Sequence, residues 1–213
     1  MTRRLLLILA SALLLPLGAF AETPPAFVEK MATRDTLNQL RKGGHVLYLR
    51  HGYTDNSRPD RYPQVDLNDC ETQRVLSDEG RALMRQVGQS LRKSGIPVGE
   101  IVVSPMCRTR ESARLVFGER TDQRFIIAEP LMYSANMTSE EKKPRLATLK
   151  DWLRRPLSAG SNRLLLAHAP NLHDLIGFFV KPEGTLVVFA QTGADGYEYV
   201  ASIPPALWNE LLK

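Results

Sequence analysis

The chain is poor in the features that mark several large protein classes. It has two cysteines and four histidines in 213 residues. That excludes a disulfide-dense mini-protein, and two cysteines without suitably spaced histidines do not make a zinc site. Glycine and proline number 14 each, with no internal repeat and no low-complexity stretch, which excludes a collagen-like fibre. No run of Lys or Arg exceeds two, and the formal charge is only +5, too mild to argue for nucleic-acid binding. One apolar run stands out, Leu5 to Leu15, broken only by Ser11. It falls short of the roughly 20 residues that span a bilayer. What is present, 43% hydrophobic and 24% charged residues, is the composition of an ordinary globular chain.

The apolar run belongs to an N-terminal address. Arg3 and Arg4 form a positive start, the run follows, and Ala19-Phe20-Ala21 is an A-x-A cleavage pattern before the polar Glu22-Thr23-Pro24-Pro25. This is the pattern of a secretory signal peptide over 1–21. The expectation is a secreted or periplasmic protein after cleavage near Ala21, with no stable membrane anchor. Cleavage leaves 192 residues and 26 basic against 23 acidic side chains, a formal +3. Export places Cys70 and Cys107 in a disulfide-permissive compartment. Two free thiols or one bridge both remain open, since nothing in the sequence fixes the distance a bridge requires. Asn136-Met137-Thr138 is a glycosylation sequon, relevant only in a eukaryotic secretory pathway.

After a lead-in with a helix over 22–42, residues 43–213 read as one domain. Short apolar runs predict strands at His45–Arg50, Glu100–Ser104, Arg163–His168, Thr185–Phe189 and Tyr197–Ser202, with a shorter one at Ile126-Ile127. Ser77 is a good N-cap, and Leu83, Val87 and Leu91 recur at helical spacing before Gly95. Helices are also expected over 107–117, 139–154, 171–180 and 205–212. Alternation of this kind implies an α/β sandwich with a largely parallel sheet.

In such sheets sites lie beyond the carboxyl ends of the strands. Those ends deliver Arg50-His51-Gly52, then Ser104-Pro105-Met106-Cys107-Arg108, then His168. Arginine offers planar, permanently charged donors suited to phosphate. A neutral imidazole can attack phosphorus, and a second can stabilise the charge of the transferring group. Gly52 is expected to let backbone approach a ligand. Such a pocket needs no metal, because the arginines supply positive charge, and no cofactor is expected. His45, His173, Arg110 and Arg114 read as structural, solvated or ion-paired.

Leu49-Arg50-His51-Gly52, Ser104-Pro105-x-x-Arg108-Thr109-x-Glu111-Ser112-Ala113 and a late strand-end His168 together resemble the histidine phosphatase superfamily, which contains the cofactor-dependent phosphoglycerate mutases and histidine acid phosphatases. The resemblance runs from about residue 43 to 205. It implies a three-layer α/β/α sandwich with a mostly parallel mixed sheet. It implies His51 as the phosphorylated nucleophile, Arg50 and Arg108 as phosphoryl clamps, and His168 as the group completing the pocket.

The sequence departs from that pattern at the general acid. Where the acid phosphatases carry an aspartate after the late histidine, this chain has Ala169. Glu129 is nearest in position to the mutase-type glutamate. Asp55, Asp66 and Glu183 are the other candidates. The long connection over 53–74 is expected to shape the pocket, with Arg58 as a third phosphate contact, and the region from Met132 to Lys143 to form another rim. No large substrate cap fits in the chain. The expected function is exported phosphomonoester hydrolysis through His51 on a small, sugar or lipopolysaccharide-type phosphate ester. The alternatives are a non-catalytic phosphate-binding or interaction module and a phosphohistidine-protein phosphatase. Expected partners are a phosphorylated small molecule or glycan, with oligomeric state left open.

Overall fold

The computed structural model describes residues 26–118, 125–193 and 196–213. The expected signal peptide lies outside the described residues. Six strands form one sheet: β1 (His45–Arg50), β2 (Val98–Val103), β3 (Phe125–Ile127), β4 (Asn162–Ala167), β5 (Leu186–Thr192) and β6 (Gly196–Ile203). Their order is β3-β2-β4-β1-β5-β6. The first four in that order run parallel, whereas β5 pairs antiparallel with β1 and β6 antiparallel with β5.

Alternation in the strands divides the core between two faces. From β1, Leu47 and Leu49 join Leu164, Leu166 and Val103 on one face. Val46 and Tyr48 join Leu165, Ala167 and Val102 on the other. The first face is covered by α1 (Arg34–Arg41), α2 (Asp78–Ser94), α3 (Cys107–Phe117) and α6 (Trp208–Leu211), through residues such as Leu40, Met84, Val116 and Trp208. The second is covered by α4 (Ser139–Arg154) and α5 (Ala169–Ile176), through Leu149, Trp152, Leu153 and Leu172. A sheet buried on both faces reads as near-continuous apolar runs, and β4 does so from Leu164 to Ala167, with all six of its residues buried. The expected α/β/α sandwich is thus observed.

Local chemistry explains most element ends. The Ser77 hydroxyl accepts from the Gly80 amide at 3.1 Å, Asp78 and Glu79 occupy the first turn of α2, and Gly95 ends it in the left-handed region at φ 69°. Two expected helices shift. The one expected over 171–180 spans 169–176, because Pro170 fits the first turn of a helix and Gly177, at φ 75°, stops it. The one expected over 205–212 divides into a 3₁₀ turn at Pro205–Leu207 and α6. The lead-in is integrated into the sheet's surroundings: Leu37 and Leu40 are buried, and Ala32 donates to the Ser202 carbonyl at 2.9 Å.

The connection after β1 is fastened to α3. Cys70 and Cys107 form a disulfide with a Cα–Cα distance of 5.8 Å, which resolves the alternative left open by the sequence. Beside it the buried Gln73 side chain donates to the Asp66 carbonyl at 2.7 Å and accepts from the Cys107 amide at 2.8 Å. This places a long loop firmly against the helix that starts at Cys107.

Candidate active site

The parallel strands β1, β2 and β4 end side by side and bring two imidazoles together. His51 follows β1 directly, and its amide donates to the Ala167 carbonyl at the end of β4 at 3.2 Å. His168 follows β4 and caps α5. Their ring centroids lie 5.1 Å apart. Both are buried, and burial holds both pKa values well below the ordinary 6.5, with Arg108 adding the next push downward. Both are therefore neutral near pH 7.

The tautomer of His51 follows from its partner. Nδ1 lies 2.8 Å from the Gly52 carbonyl oxygen. A carbonyl can only accept, so Nδ1 carries the proton. Nε2 is left with a lone pair. His168 is held at both ends: Tyr48 donates to its carbonyl at 2.7 Å, and its Nε2 meets the Ser104 hydroxyl at 2.9 Å. Its Nδ1 is buried without a protein partner. When Ser104 donates to Nε2, the ring proton sits on that unpartnered nitrogen.

Three arginines surround the pair. Arg50 donates to the Val180 carbonyl at 2.6 Å and ion-pairs with Glu183. Arg108, fully buried, meets Asp60 at 3.0 Å and the Arg74 carbonyl at 3.3 Å. Arg74 is positioned by Asp60, whose carboxylate accepts from its amide at 2.8 Å. Nε of Arg50, Arg74 and Arg108 and one terminal nitrogen of Arg108 are buried with no partner. Burying such donors unsatisfied is costly. An anion with several acceptor oxygens would satisfy them. Burial keeps the Arg108 pKa below its ordinary value; Asp60 opposes it, and the Arg74 charge adds a smaller push downward.

Aromatic rings flank this charge. The Tyr133 ring centroid lies 5.3 Å from the Arg108 guanidinium carbon, and its ring meets His168 in a T-shaped arrangement with centroids 5.7 Å apart. Phe179 lies over Arg50 at 5.6 Å.

The sequence-selected residues separate cleanly. Arg50, His51, Arg108 and His168 come together, and Glu183 joins them as the partner of Arg50. Asp55 does not: it is half-buried and accepts from the Ser57 amide and hydroxyl at 2.9 and 2.7 Å. Glu129 is exposed and meets Arg145 at 3.3 Å. Asp66 closes a turn onto the Asn68 amide, and Arg58 pairs with Glu71 on the surface. Short polar side chains in loops satisfy neighbouring backbone first, which is why proximity in sequence to His51 misleads. Gly52 also has a packing role: a Cβ there would come within 2.6 Å of the Gly80 carbonyl, so it allows α2 to approach. Arg110 is not simply solvated, since it donates to the Leu67 carbonyl at 3.0 Å.

Arg74, Asp60, Tyr133 and Phe179 were not legible as site residues. Arg74 and Asp60 lie in the loop expected to shape the pocket, and Tyr133 lies in the expected second rim. Those two loops are the signal for Arg74, Asp60 and Tyr133, and nothing in the sequence marks Phe179. Among the described residues, no three His, Cys, Asp or Glu side chains group as a metal site requires.

Fold and pocket together define an α/β sandwich with a neutral histidine pair among arginines, at the carboxyl ends of parallel strands. The chain belongs to the histidine phosphatase superfamily, whose branch 1 model matches residues 46–157. It is 28% identical over 79 residues to the serine/threonine-protein phosphatase Pgam5, mitochondrial, of Drosophila grimshawi, over 37% of this chain and 24% of that protein. The match thus spans about a quarter of that relative's length. Among solved structures, the protein histidine phosphatase SixA with tungstate is similar at TM-score 0.56 and 14% identity, over 76% of this chain and 97% of that one. The alpha-ribazole phosphatase of Shigella flexneri gives 0.54 and 14%, over 76% and 96%. A phosphoserine phosphatase of Entamoeba histolytica with phosphoserine gives 0.54 and 13%, over 76% and 97%. At these identities the likeness is one of fold.

Proposed function

We propose that the chain is a phosphatase that passes a phosphoryl group from a phosphate monoester to His51 and then to water. The observation that carries the reading is the state of His51: buried, neutral, and with its Nδ1 proton engaged, so that Nε2 is free to attack. In the first half-reaction the P–Nε2 bond forms and the bond from phosphorus to the leaving oxygen breaks. In the second, water attacks phosphorus and the P–N bond's electron pair returns to Nε2. The unused donors of Arg50, Arg74 and Arg108 hold the phosphoryl oxygens, and His168 Nδ1 adds one more. Neutral histidines beside fixed cations suit a dianionic substrate, because no imidazole proton need be lost before attack.

The substrate class in this reading is a small, sugar or lipopolysaccharide-type phosphate ester outside the cytoplasm. Its support is the A-x-A pattern at Ala19–Ala21 and the disulfide, which persists in oxidising compartments. A second reading, removal of phosphate from phosphohistidine, has its own observation. The carboxylates beside the pocket, Glu183 and Asp60, are both engaged by arginines, and a departing imidazole needs less help from an acid than an alkoxide does.

The test is hydrolysis of a chromogenic phosphomonoester from about pH 4 to 8 by the wild-type protein and His51→Ala. Activity lost in the variant supports the enzyme. Equal rates at every pH would refute it and leave a non-catalytic phosphate-binding module.

A further inference from the structure

With both neighbouring carboxylates engaged by arginines, the source of the leaving group's proton is open. Tyr133 borders the phosphoryl pocket. Its ring is fixed against Arg108 and His168 at 5.3 and 5.7 Å. The segment before it is anchored, since the buried Asn171 amide donates to the Met132 carbonyl at 2.9 Å. The ring is half-buried, and the phenol makes no hydrogen bond to the described residues. The other tyrosines near the core differ. Tyr48 is bonded to His168 and fully buried, and Tyr199 is bonded to Ser202 and Lys30. Tyr133 is thus a positioned, unused O–H at the edge of the phosphoryl pocket.

We propose that the Tyr133 phenol is the general acid for ester substrates, in the place where other phosphatases use a carboxylic acid. The proposal rests on the phosphatase reading above. As Nε2 of His51 bonds to phosphorus, the P–O bond breaks and its electron pair moves onto the leaving oxygen. The Tyr133 O–H gives its proton to that oxygen, and the alcohol leaves. A tyrosinate remains, with the Arg108 guanidinium carbon 5.3 Å from its ring centroid. The entering water then returns a proton to the tyrosinate while its oxygen bonds to phosphorus, and the P–N bond breaks. Proton and charge balance over the cycle. A phenol is a stronger acid than an aliphatic alcohol, so transfer to an alkoxide runs downhill.

Leaving groups separate this role from a structural one. Tyr133→Phe keeps the ring against Arg108 and His168 and removes only the O–H. The variant should lose about 100-fold or more in kcat on an alkyl ester such as glycerol phosphate. It should lose less than about threefold on p-nitrophenyl phosphate, whose leaving group departs unaided. Across a series of esters, wild-type rates should depend weakly on leaving-group acidity and variant rates steeply. Equal losses on both esters, no loss on the alkyl ester, or wild-type activity confined to aryl esters would overturn the Tyr133 role and leave the phosphatase reading standing. Wild-type rates equal to those of His51→Ala on both esters would overturn the phosphatase reading, and this role with it.

Discussion

Replacing Asp60 by asparagine removes a negative charge from beside a guanidinium that has no contact with water. The Arg108 side chain is fully buried and Asp60 is 12% exposed, with nitrogen and oxygen 3.0 Å apart. At an effective dielectric constant near 20, two unit charges at that separation attract by roughly 5 kcal/mol. Truncating one partner of a buried pair costs about 3–5 kcal/mol. The low end applies, because asparagine keeps an oxygen to accept from Arg108 and the Arg74 amide. Arg74 makes matters worse, since its positive charge also acts on Arg108. A loss of about 3 kcal/mol in a chain of this size lowers the melting temperature by about 6–12 °C. Thermal unfolding by circular dichroism measures it. Inorganic phosphate or vanadate supplies the missing negative charge, so either ligand should raise the melting temperature of Asp60→Asn more than that of the wild type. A drop under about 2 °C, or equal ligand shifts, would refute the claim that buried positive charge governs this pocket.

The histidine pair makes stability depend on pH. Unfolded imidazoles titrate near 6.5 and the folded ones well below, so the unfolded chain takes up protons first as pH falls. Stability is full above about pH 7 and declines below it, by up to about 4 kcal/mol at pH 5 for two such groups. Urea unfolding at the two pH values should show this, with a flatter dependence in the His51→Asn, His168→Asn double variant. Reducing the Cys70–Cys107 bridge, whose cysteines are 37 positions apart, should cost about 4 kcal/mol by loop-closure entropy. A melt in dithiothreitol that matches the oxidised melt would contradict that. Arg74→Ala should weaken vanadate binding about 10–100-fold, the worth of one charge-assisted contact. Titration calorimetry would show it, and unchanged affinity would remove Arg74 from the pocket.

What the sequence revealed here follows from where information sits in the chain. Strand-end residues inherit their position from apolar runs with clear periods, so the sequence alone places Arg50, His51, Arg108 and His168 together. The two faces of the sheet were implicit in the same runs. Loop residues have no such register. Arg74 reaches the site because a disulfide and Gln73 hold its loop on α3, and Tyr133 because Asn171 holds the chain before it. Both are long-range contacts that no local pattern announces. Asp55, Asp66 and Glu129 had the right chemistry, but each is satisfied by near neighbours instead.

The central claim is that His51 Nε2 takes the phosphoryl group. Rapid acid-free quenching of the protein with a phosphorus-32-labelled monoester, followed by peptide mapping, tests it directly. The account predicts an acid-labile, base-stable label on the peptide containing His51, absent from His51→Ala. Turnover with no such label, or a label on another residue, would contradict it.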